Sequence, residues 1–212
     1  MKTKFIFILI ALASMMSARF AYGQETNFKT NGKDFVNIAA LPVHQQFKST
    51  DICGSAADFS AKLSKQGFTP STKYANNMTG IFAGYEVSVV YETTPLSKQV
   101  FRVIANLPTR QIWANVENDY ATFKANLTTK YGEPKTVNEK FWDPYRKGDG
   151  YELKALGSNK VQYVCDWVTP NGHIQMKILG DEQKCYLKLI YTDNAGIEKF
   201  NKEKEEQFLQ DL

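Results

Sequence analysis

Cys53 and His44 bring the two groups that nucleophilic catalysis needs, a thiol and an imidazole, within nine residues of each other. A thiol attacks only as the thiolate, so it needs a base or a positive field to take its proton. Cys53 precedes an expected helix, whose unpaired N–H groups would lower a thiol pKa. No local signature surrounds the pair, and the same cysteine also reads as a small residue tucked beneath the Ile52 segment. That second reading is adopted, and the chain is expected not to be an enzyme. The other histidine, His173, follows Asn171-Gly172 and is expected at an exposed hairpin end. Metal chemistry finds no Cys-x-x-Cys, no His-Glu-x-x-His and no calcium-loop spacing between Asp143 and Asp149. Gly80-x-x-x-Gly84 has no basic neighbour for a phosphate. No metal site and no cofactor are expected.

The stronger candidate for recognition is an aromatic and cationic cluster: Phe141, Trp142, Tyr145, Arg146 and Lys147. Flat rings with cationic tips are the composition of binding hot spots, and such rings also stack on sugars. The competing reading, which carries more weight, has Phe141 and Trp142 folding back over the open end of a sheet. Trp113 and Trp167 are expected in the core.

The elements that must position these residues begin after a leader. Lys2 and Lys4, an apolar run over 5–13, and Ala21-Tyr22-Gly23 read as a signal peptide over 1–23. The run is too short to span a bilayer, which takes roughly 20 residues, and no transmembrane segment is expected in the mature chain. The expected location is therefore periplasmic or extracellular. The leader holds three of the 26 basic residues, leaving 23 against 22 acidic ones. A near-neutral surface makes no electrostatic case for nucleic acid.

Beyond an N-terminal segment over 24–50, one plan is written twice: an amphipathic helix ending in glycine, then three strands. In the first unit, 51–110, Ser55 and Asp58 form a capping pair, Phe59 and Leu63 an apolar stripe, and Gly67 the stop. Strands are expected over 78–82, 85–92 and 99–107, with Val90 alone breaking the alternation of the middle one. In the second unit, 111–193, Val116, Tyr120, Phe123, Leu127 and Tyr131 fall on one face. Asn115 is the expected cap, and Gly132 and Pro134 end the helix. Strands follow over 161–168, 174–179 and 184–192, with Pro170-Asn171-Gly172 as a tight turn. Between helix and strands lie a long connection over 133–150 and a short helix over 151–156. Cys165 and Cys185 fall on the first and third strands of this meander, roughly 9.5 Å apart and beyond disulfide reach, so both are expected as buried free thiols. The tail over 194–212 reads as a charged, solvated helix with a Glu198–Lys202 pair, touching the body through Ile197, Phe200 and Phe208. The expected architecture is α+β: two tandem helix-plus-antiparallel-meander units forming one curved sheet, with helices packed on one face.

Leu63-x-x-x-Gly67-Phe68, Gly80-Ile81-Phe82-Ala83-Gly84, Lys130-Tyr131-Gly132-Glu133-Pro134 and Ile190-Tyr191-Thr192-Asp193 together span most of the chain after the leader. With these features it resembles uncharacterised exported proteins of Bacteroides-type bacteria with a β-lactamase-inhibitor-protein-like tandem α+β fold. The resemblance implies a periplasmic or surface protein whose concave sheet receives another macromolecule, and it carries over no inhibitory residue. The expected function is an exported, non-enzymatic binding module for a protein partner, acting through the sheet face or the aromatic loop. The alternative is a periplasmic carrier or sensor of a small ligand or glycan, with a thiol enzyme last.

Overall fold

The computed structural model describes residues 43–210 and 212. The leader over 1–23 and most of the 24–50 segment lie outside the described residues. Of the described part of that segment, 43–50, the residues Gln45, Phe47 and Thr50 are buried. A small hairpin, β1 (Gln46–Phe47) and β2 (Thr50–Asp51), sinks Phe47 among Phe68, Phe82 and Tyr191.

The first unit follows. Helix α1 (Ala56–Ser64) is capped by Ser55, whose hydroxyl accepts the Asp58 N–H, and it buries Phe59 and Leu63. Four strands come next: β3 (Thr69–Pro70), β4 (Asn77–Phe82), β5 (Tyr85–Thr93) and β6 (Val100–Asn106). The second unit opens with α2 (Trp113–Tyr131) and adds β7 (Thr136–Phe141), the short helix α3 (Glu152–Gly157), β8 (Val161–Thr169), β9 (Gly172–Gly180) and β10 (Cys185–Asp193). Helix α4 (Asn194–Gln210) closes the chain. All strands from β3 onward form one antiparallel sheet in the order β3-β4-β5-β6-β10-β9-β8-β7. The two meanders thus join edge to edge through β6 and β10, as the tandem plan requires.

One face of this sheet is the core. Val89, Ala105, Leu189, Met176 and Cys165 lie across it in register, as do Tyr91, Val103, Tyr191, Ile174 and Trp167. Helix α2 lays Val116, Tyr120, Phe123 and Leu127 on it, and α1 adds Phe59 against Tyr91. A buried polar tie joins the units. Asp119 of α2 accepts hydrogen bonds from Tyr85 of β5 and from Arg110, each at 2.9 Å. Cys165 and Cys185 are free and buried, and burial pushes the Cys185 thiol up to about 11.

Five expectations change. Each unit has four strands rather than three, because the two-residue β3 precedes β4 in the first and the 133–150 connection contains β7 in the second. Glu139 in the middle of β7 hides its alternation: this strand lies at the sheet edge, where an acid reaches Lys124 of α2 at 2.6 Å instead of entering the core. Helix α2 starts at Trp113, ahead of Asn115, with no side-chain cap. Burial of Trp113 against Phe141 and Tyr163 holds that end in place of a cap. His173 sits within β9, with Nε2 3.4 Å from Asp166, because the strand resumes at Gly172. In α4, Phe200 stacks on Phe101 as expected, but Phe208 is 62% exposed because the helix runs past its last anchor. That anchor is Glu203, a buried acid in a helix expected to be solvated, and the observed ion pairs are Lys199–Glu203 and Lys202–Glu206. The Glu203 carboxylate accepts the N–H groups of Leu96 and Ser97 and the Ser97 hydroxyl.

Candidate functional site

The aromatic cluster is divided by the fold rather than assembled by it. Phe141 ends β7 and packs against Trp113 and Tyr163, with ring centroids 5.7 and 6.1 Å away. Tyr145 is half-buried against the same core. Lys147 reaches back to α2, where its ammonium lies 2.7 Å from Glu117 Oε1, the oxygen that also accepts the Tyr163 hydroxyl. Arg146 is exposed, and its N–H donates to Asp149. Trp142 is 36% exposed, with the Lys140 ammonium 5.5 Å from its ring centroid. Core covering therefore holds for Phe141 and extends to Tyr145, but it does not hold for Trp142, which stays exposed together with Arg146.

The thiol and the imidazole are not coupled. Burial first, and then the neighbouring charge of Asp51, push the Cys53 thiol up, opposite to the lowering expected from the helix start. No hydrogen bond joins it to His44 or to a carboxylate among the described residues. His44 is engaged elsewhere: its Nδ1 lies 3.2 Å from Asp193 Oδ2. Asp193 is buried and also accepts the N–H groups of Gln45 and Gly196, each at 2.8 Å. This carboxylate ties the N-terminal hairpin to the end of β10 and caps the start of α4, a structural role. Among the described residues no group of three or more His, Cys, Asp or Glu side chains could hold a metal ion, and no helix is long and apolar enough to cross a membrane.

The second face of the sheet is where polar and apolar groups gather. Val90, the residue out of pattern in β5, stands opposite Ile104 of β6, which stands opposite Ile190 of β10. Three central strands thus carry a half-exposed aliphatic row on the side away from the core. On one flank runs Ser88–Asn106–Lys188–Lys177. On the other, Glu92, Arg102 and Thr192 are linked by hydrogen bonds from the Arg102 guanidinium, at 2.8 Å to Glu92 and 3.2 Å to Thr192. Beside the first flank lies a shallow, open cleft of about 530 Å³, bordered by Thr79, Glu86, Ser88, Asn106, Thr109 and Tyr186. Asn106 Oδ1 is buried there with no hydrogen-bond partner among the described residues. An unmet buried acceptor is costly, so a donor that reached this point would be favoured.

Sequence reasoning did not single out Asn106 or the aliphatic row. The one available signal was Val90, an apolar residue whose neighbours on the same face of β5, Ser88 and Glu92, are polar. Together the fold and this face define a helix-backed antiparallel sheet with one side left partly open. No family model matches the chain, and neither the curated proteins nor the solved structures include a match to it.

Proposed function

We propose that the protein is an exported, non-enzymatic binding module whose outer sheet face receives a protein partner. The observation that carries this reading is the Val90–Ile104–Ile190 row with charged and amide groups on both flanks. Aliphatic centres with polar rims are the usual anatomy of protein interfaces. The neighbouring cleft is shallow and open, which suits a macromolecule better than a small ligand, whose sites enclose most of its surface. The thiol alternative loses ground because Cys53 is pushed toward the neutral form and His44 is held by Asp193. One observation favours a second reading, a carrier of glycans. The Asn106 carbonyl oxygen, unpaired among the described residues, lies in a cleft that also carries the hydroxyl side chains of Ser88, Thr79, Thr109 and Tyr186, groups that hold a polyhydroxylated ligand.

Immobilised protein exposed to a periplasmic and extracellular fraction tests both readings. Retention of one protein species by the wild type, lost in Asn106→Arg and kept in Trp142→Ala, is the expected result. Glycan binding that is lost in Asn106→Arg would move the assignment to the carrier. Retention indifferent to Asn106→Arg, or no retention at all, would overturn the face as the site. N-terminal sequencing of the exported chain checks the leader, with Gln24 the expected first residue.

A further inference from the structure

The eight-stranded sheet ends in two unlike edges, and one of them fits a copy of itself. Strand β3 is two residues long and contains Pro70, which has no N–H to offer. Strand β7 is six residues long, contains no proline and, among the described residues, pairs only with β8. Its outward groups follow from the ladder. The Trp142 N–H donates to Lys160 O at 2.9 Å, in the same register that pairs Phe141 with Val161 and Thr136 with Asp166. Hydrogen-bonded pairs alternate along an antiparallel ladder. Lys140 and Asn138 therefore also turn their peptide groups toward β8, while Val137, Glu139 and Phe141 turn theirs outward.

We propose that β7 pairs antiparallel with β7 of a second copy of this chain, about a twofold axis at Glu139, joining the two sheets into one. In this register the outward peptide groups meet each other, Glu139 opposite Glu139 and Val137 opposite Phe141 of the second copy. The side chains agree with the backbone. Val137 is 46% exposed on the helix side of the edge, and the pairing sets the half-buried Phe141 of the second copy beside it. On the other side, Asn138 faces Lys140 of the second copy, and Thr136 faces Trp142, which the single chain leaves 36% exposed. The opposed Glu139 carboxylates are each matched by a Lys124 at 2.6 Å, so the centre of the interface carries two acids and two ammonium groups and no net charge. This surface is separate from the outer sheet face, and either can fail without the other.

Sedimentation of the full mature chain from micromolar to millimolar concentration is the test, with Glu139→Pro and Val137→Lys alongside. At position 139 proline removes an N–H that β8 does not use, so the fold should survive while the outward ladder is blocked. Val137→Lys keeps the backbone and sets a charge against Phe141 of the second copy. The expected result is a concentration-dependent dimer for the wild type and a dissociation constant raised at least about tenfold in both variants, which corresponds to about 1.4 kcal/mol. Asn106→Arg should dimerise as the wild type does. A wild type that stays monomeric throughout would overturn the proposal. So would a dimer that persists in Val137→Lys, or one that Asn106→Arg abolishes.

Discussion

The two halves of the sheet solve the same packing problem with different reserves. The first unit has a nine-residue helix with a side-chain cap and a stub of an edge strand. The second has a 19-residue helix with no side-chain cap, a six-residue edge strand and an insertion that carries α3. In the first, the local signals Ser55 and Asp58 hold the helix end. In the second, burial of Trp113, Tyr120 and Tyr163 in edge-to-face contacts does that work. A unit held by packing can extend past its core, and its extensions are β7 at the sheet edge and the largely exposed 142–151 segment. The comparison teaches that a short helix is held by a local cap, whereas a long one can be held by buried rings alone.

Removing a ring from the packing of the second unit is the sharpest way to break that contrast. Trp167 is 0% exposed, and its indole N–H donates to Gly132 O at 3.1 Å, pinning the end of α2 to β8. Trp167→Ala is expected to cost about 3–5 kcal/mol in chemical denaturation. A smaller loss follows from closing a tight approach. A Cβ on Gly172 would lie 2.2 Å from Thr192 O and 2.7 Å from Gln45 Cβ, crowding the strap between the N-terminal hairpin and β10. Gly172→Ala is expected to cost about 1–3 kcal/mol in the same measurement. The turn glycine of the first unit, Gly84, has φ +84° with open space around it, so Gly84→Ala should cost only about 1 kcal/mol of backbone strain.

How much of this was legible in the sequence depends on where each residue's partners lie. The six central strands, both main helices and the buried thiols were readable because alternation and helical periodicity are local records of a buried face. Strand β7 was not, since an edge strand buries little and its middle residue, Glu139, answers to Lys124 on another element. Glu203 was read as solvated for the same reason: the N–H groups of Leu96 and Ser97 that receive it are more than 100 residues away in sequence. The aromatic cluster was visible as composition, but sequence proximity could not tell that Phe141 turns into the core while Trp142 turns out. Asn106 was unreadable, because an amide in a strand becomes notable only when its partners are missing.

Acid sharpens the comparison at the C-terminal helix, with an effect of intermediate size. Burial works against the Glu203 charge, yet the hydroxyl and N–H of Ser97, the N–H of Leu96 and the hydroxyl of Thr94 hold its carboxyl at about 2, below the ordinary 4.5. A carboxylate with a lowered folded-state pKa stabilises fully above its unfolded value and loses that contribution as pH falls toward the folded one. The anchoring of α4 to the β5–β6 turn should therefore weaken between about pH 4.5 and 2. Thermal unfolding followed across this window should show a shallower acid slope in Glu203→Gln than in the wild type. Equal slopes would show that the turn does not need the charge.

The smallest effect separates the two helix starts. Ser55 accepts the Asp58 N–H at 3.1 Å and donates to its carboxylate at 2.7 Å, so both side chains serve one turn of a short helix. Ser55→Ala removes an acceptor that no neighbour replaces and is expected to cost about 1 kcal/mol. Asn115 is exposed inside the first turn of α2, two residues after Trp113, and takes no cap position. Asn115→Ala should be neutral or stabilising by up to about 0.5 kcal/mol, since alanine suits a helix interior better than asparagine. Denaturation midpoints of the two variants measure the difference directly. A loss at Asn115 as large as that at Ser55 would mean that α2 depends on a local cap after all, and the contrast between a capped unit and a packed one would not stand.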